Sequence, residues 1–84
     1  MNVEAEVKAL IEGPINDLGY HLDNIIYEKE GNMNFLRIFI DKDGYIEIED
    51  CVKTSKLINP LLDQKDLIKD DYILDVCSKE KGSE

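Results

Sequence analysis

Three sets of residues in this chain have the types and spacing for chemistry. They are the acidic run Asp41-Lys42-Asp43-Gly44 with Glu47, Glu49 and Asp50 just beyond it, the cysteines Cys51 and Cys77, and the single histidine, His21. The acidic run starts like a calcium-binding loop, in which closely spaced carboxylates supply oxygen ligands and a glycine makes the sharp turn. It then departs from the pattern. Counted from Asp41, a calcium loop requires an acid or amide at 45, glycine at 46 and glutamate at 52, where the chain has Tyr45, Ile46 and Val52. A strand-to-helix turn is the reading adopted, and a calcium-responsive or other acidic protein-binding adaptor is the alternative.

The remaining groups do not assemble a reaction. Cys51 and Cys77 lie in apolar patterns and not in a Cys-x-x-Cys pair, so they read as small buried hydrophobes. His21 opens a strand and reads as a partly exposed surface residue. No serine or cysteine has an identifiable base, and Ser55 on a helix reads as a small residue permitting close approach to the sheet. No catalytic residue, metal-ligand set or cofactor is assigned. Acidic residues outnumber basic ones 19 to 10, for a net charge of −9. A surface that negative repels phosphate, so little direct nucleic-acid binding is expected and a basic protein partner suits it better. A G-x-x-G loop with basic flanks is absent, and the aromatics are not interleaved with lysine and arginine as a base-stacking platform requires.

These groups must be positioned by a small scaffold. Eighty-four residues make one domain at roughly 100 to 200 residues per domain, and 43% hydrophobic with 35% charged is globular composition. Val3, Val7, Leu10, Ile11 and Leu18 recur at helical spacing behind Asn2 as cap. Gly19 serves as a left-handed stop, and Gly13-Pro14 is expected to kink or divide the helix. Tyr20 to Lys29 and Phe35 to Asp41 read as a hairpin about residues 31–34, with Leu36, Ile38 and Ile40 on one face and a bulge near Ile25-Ile26-Tyr27. Ile48, Cys51, Val52, Ser55, Ile58 and Leu62 mark a second helix that Pro60 is expected to kink or end. Tyr72 to Ser78 then alternates as a third strand. The predicted fold is α+β, a two-layer α-β-β-α-β sandwich with both helices on one face of a three-stranded sheet. The most apolar stretch, Phe35 to Ile40, carries Arg37 and is far below the ~20 residues that span a bilayer. With two cysteines and no secretory n- and h-region at the start, a cytoplasmic location is expected and a membrane association is not.

Several of these segments together resemble the N-terminal domain of the ribosome maturation factor RimP family. The matching pieces begin with Leu10-Ile11-Glu12-Gly13-Pro14-Ile15, Leu18-Gly19-Tyr20 and Leu36-Arg37-Ile38-Phe39-Ile40-Asp41-Lys42. They continue through Ile46, Ile48-Glu49-Asp50-Cys51, Ser55-Lys56, Asn59-Pro60-Leu61-Leu62-Asp63 and Tyr72-Ile73-Leu74-Asp75-Val76. The resemblance implies a non-enzymatic factor in small ribosomal subunit assembly that contacts the free subunit and a basic ribosomal protein, S12. It also implies a second, SH3-like barrel domain. The chain departs from the family at the end of the third strand, where Cys77-Ser78-Lys79-Glu80-Lys81-Gly82-Ser83-Glu84 stands in place of the Ser-Ser-Pro-Gly and basic stretch that the resemblance implies. The expected organisation is thus a domain over 1–78 and a fraying polar tail over 79–84, with no barrel. Glu47 stands where the family often has a hydroxyl N-cap, so weaker capping is expected there. Asp41, Asp43, Glu47, Glu49 and Asp50 form the patch expected to meet the basic partner.

Overall fold

A computed structural model describes residues 2–68 and 70–79 and contains, in chain order, α1 (Val3–Asp17), β1 (His21–Glu30), β2 (Met33–Asp41), α2 (Ile48–Lys65) and β3 (Ile73–Ser78). The sheet order is β1-β2-β3, with β1 and β2 antiparallel and β2 and β3 parallel. A parallel pair needs a crossover, and α2 supplies it. Both helices cover one sheet face. Val7, Ile11 and Ile15 of α1 and Ile58 and Leu62 of α2 meet Leu36, Ile38 and Ile40 of β2 in a shared core.

Local sequence explains how each element starts and stops. The Asn2 side chain accepts the Glu4 N–H at 2.9 Å, which satisfies one of the N-terminal donors that no helical carbonyl can reach. At the far end Gly19, at φ +92, donates to the Asn16 carbonyl, and Tyr20 donates to the Ile15 carbonyl. This double closure is a Schellman motif, and it turns Tyr20 back into the core beside Ile15. The expected division at Pro14 does not occur. Pro14 lies three residues before the end of α1, so its missing N–H costs one bond in a turn that is already terminating. Pro60 does not end α2 either, for the helix runs on to Lys65 with the exposed proline facing solvent, where water can take the freed carbonyl.

Gly31-Asn32 forms the two-residue hairpin loop, with positive φ at its first position as in a type II′ turn. A β-bulge is present, but at Asp23 and not near Ile25-Ile26-Tyr27. The register jumps there, so Leu22 opposite Ile40 and Ile25 opposite Ile38 both point to the core although three residues apart. Ile26 lies beside Arg37 on the other face. That face holds Arg37 as a cross-strand tie: it pairs with Glu28 and, at 3.3 Å, Glu30 on β1, approaches Asp75 on β3 at 3.8 Å, and lies 4.8 Å over the Phe35 ring. Of the polar tail expected at 79–84, all but Lys79 lies outside the described residues, and Lys79 reaches Asp23 at 3.9 Å.

Candidate functional site

The expected patch is divided by burial. Asp41 ends β2 opposite His21 and is half-buried, while Asp43, Glu47 and Glu49 are exposed around the turn that Gly44 makes at φ +90. Asp50 does not share that exposure. It is 9% exposed, and its carboxylate accepts from the Tyr20 hydroxyl at 2.6 Å and the Glu47 N–H at 2.8 Å, with the Lys42 ammonium at 2.8 Å. Asp50 therefore lies apart from the exposed members of the expected patch and ties together the exit of α1, the end of β2 and the start of α2. The same bond to Glu47 caps α2 from within the helix, which is how a chain with Glu47 at the N-cap manages without a hydroxyl there.

This network is electrostatically closed. The Glu47 N–H, then Lys42 and Tyr20, hold the Asp50 carboxyl far below the ordinary aspartate range, because each favours the ionised form. The hydrogen bond to Asp50, then burial, pushes the Tyr20 hydroxyl up to about 12. Asp50 raises Lys42 in turn, and the Lys42 ammonium lies 5.9 Å over the Tyr20 ring. A carboxylate so well satisfied is a poor proton acceptor, so the arrangement organises structure and does not prepare a general base.

Alpha-helical spacing misplaced the buried face of α2. Ile48 and Val52 were expected inside, yet Ile48 is 83% exposed and Val52 46%. Asp50 and Thr54 occupy the core-facing positions above Ile58 and Leu62, with the Thr54 hydroxyl donating to the Asp50 carbonyl at 2.8 Å. Two polar residues with internal partners hide a helix face from a reading based on apolar spacing. Ser55 is half-buried on the flank, so Thr54 and not Ser55 is the small residue against the core. Cys77 is buried, Cys51 half-buried and His21 exposed.

Around the turn, the exposed carboxylates stand beside exposed apolar groups, for Tyr45 is 83% exposed, like Ile48. Among the described residues, no group of three or more histidines, cysteines or carboxylates is placed to hold a metal ion. No helix among them is long and apolar enough to cross a membrane. Sequence reasoning did not single out Tyr20 and Lys42 as partners of Asp50; the signal available was that all three fall in the quoted segments that carry the resemblance. Compared with family models, residues 10–79 match the RimP N-terminal domain. The match spans the whole Tyr20–Lys42–Asp50 network, both helical caps that build it, and all three strands.

Proposed function

Because the chain belongs to the RimP N-terminal domain family, a family of ribosome maturation factors, we propose that it acts in small ribosomal subunit assembly, binding the free subunit through a basic ribosomal protein, S12. The observation that carries this reading is the pairing of that membership with an acidic surface at the start of α2. Asp43, Glu47 and Glu49 stand exposed there, with Asp41 beside them, on a chain of net charge −9. Opposite potentials speed encounter and bias partner choice, so a negative surface selects a basic protein against the phosphate-rich RNA around it. The domain works by contact in the cytoplasm and breaks no bonds. Tyr20, Lys42 and Asp50 fix the turn that presents the carboxylates.

The test is a fluorescence-anisotropy titration of purified S12 with the chain and with the double variant Asp43→Lys, Glu49→Lys. Reversal is expected to weaken binding about tenfold at low salt and to flatten its salt dependence, since exposed charges act over a Debye length of about 10 Å at 0.1 M. Unchanged affinity and salt dependence would remove this surface from the function.

A further inference from the structure

Asp63, Asp66, Asp70 and Asp71 line an open cavity of about 620 Å³ between the C-terminal half of α2 and the start of β3. They are placed against local preference. The C-terminal end of a helix carries partial negative charge and is stabilised by cations, yet Asp63 and Asp66 stand there, and Asp66 also takes the left-handed conformation at φ 49 that favours glycine. A second cavity of about 260 Å³ continues the flank toward the start of α2, and its lining is largely apolar, with Ile48, Val52 and Val76 among its walls. Their linings are neighbours on both elements, with Val52 and Ser55 three residues apart on α2 and Leu74 and Val76 two residues apart on β3. None of the described residues lining either cavity is lysine or arginine. Burial first, then Asp63 and Asp66, raises the Tyr72 hydroxyl, so the negative potential of those aspartates reaches into the groove.

The two sheet edges differ as well. At the β1 edge the Glu4 carboxylate accepts the Tyr27 N–H at 2.9 Å, whereas among the described residues no strand pairs with the outer edge of β3. From Ile48 to Asp63 the helix rises about 22 Å at ~1.5 Å per residue, the length of about seven extended residues at ~3.3 Å each. We propose that the flank between α2 and the open edge of β3 is a docking groove for an extended, lysine- and arginine-rich segment of a partner protein. The segment carries one aliphatic side chain that enters the apolar end beside Ile48 and Val52, while its cations lie along Asp63, Asp70 and Asp71. This rests on the reading that the partner is a basic protein, and adds where on the domain its chain lies and what anchors it.

Two nine-residue synthetic peptides test the groove, each rich in lysine and arginine, one with a leucine near its end and the other with serine at that position. Each is titrated into the isotope-labelled full chain and followed by amide NMR. Shifts are expected along Ile48, Val52, Ser55, Asp63, Leu74 and Val76, with the leucine peptide binding about tenfold tighter, as burial of one aliphatic side chain gives. Val52→Ser should erase that preference, and Asp63→Asn with Asp70→Asn should weaken both peptides alike. Equal affinity for the two peptides, or shifts confined to the outer sheet face or to residues 41–47, overturns the groove. Sedimentation with free small subunits is scored separately. A chain that sediments with subunits but shows neither peptide in the groove refutes the groove alone; one that holds the leucine peptide in the groove but ignores subunits refutes the proposed function while the groove stands.

Discussion

The two ends of α2 use carboxylates in opposite ways. At the start, Asp50 is buried and every face of its charge is answered, by a backbone N–H, an ammonium and a phenol. At the end, Asp63 and Asp66 stand exposed at the pole where the helix itself is negative, with Asp70 and Asp71 across the cavity. The contrast teaches that an aspartate's type and helical position do not decide its role. Burial without partners is too costly to persist, so a buried carboxylate must be part of the scaffold. An exposed one keeps its hydration and costs the fold little.

That contrast breaks most readily at Asp50. Asp50→Ala removes the cap of α2 and strips Lys42 and Tyr20 of their shared partner, and the melting temperature is expected to fall by on the order of 10 °C, as loss of a buried charge network gives in a domain of this size. A fall no larger than that of Asp63→Ala would show that the two ends are alike. Tyr20→Phe keeps the ring in the core and removes one hydrogen bond to a charged group, so urea denaturation should show a loss of about 1–2 kcal/mol.

Acid sharpens the comparison further. Asp50 is held ionised in the fold below the range where an unfolded aspartate protonates, near pH ~4. Its contribution is whole above that value and drains away as the pH falls below it. The gap in melting temperature between the wild-type chain and Asp50→Asn should therefore narrow from pH 5 toward strong acid, and a constant gap would contradict the assignment. Tyr20 has the opposite sign. With its hydroxyl raised to about 12, its contribution is whole below pH 10.0 and is lost as the pH rises through the folded value.

The smallest effect belongs to the open end. Asp66→Gly relieves a left-handed residue and a charge at the wrong pole, and should stabilise the chain by roughly 0.5–1 kcal/mol in the same urea titration. Destabilisation by that amount would mean that Asp66 belongs with Asp50 as scaffold.

The fold was legible where the code is short-ranged. Asn2 and Gly19 mark the ends of α1, alternating apolar residues mark β2 and β3, and Gly31-Asn32 marks the hairpin. The prolines misled because the cost of Pro14 depends on its distance from a terminus, and that of Pro60 on which side meets water. The bulge was visible as broken alternation but not its position, since Asp23 is identified only by which residues face Ile38 and Ile40. The exposed acids of the candidate surface were readable as a cluster. That Asp50 leaves it was not, because its partners Tyr20 and Lys42 are 30 and 8 positions away in the chain and meet it only through the Schellman turn and the end of β2.

Sucrose-gradient sedimentation of the chain with purified free small ribosomal subunits, alongside assembled ribosomes, tests the central claim most directly. The chain is expected to travel with the free subunits and to remain at the top of the gradient with assembled ribosomes. Its absence from the subunit fractions at low salt, or equal retention on assembled ribosomes, would contradict a role in small-subunit maturation.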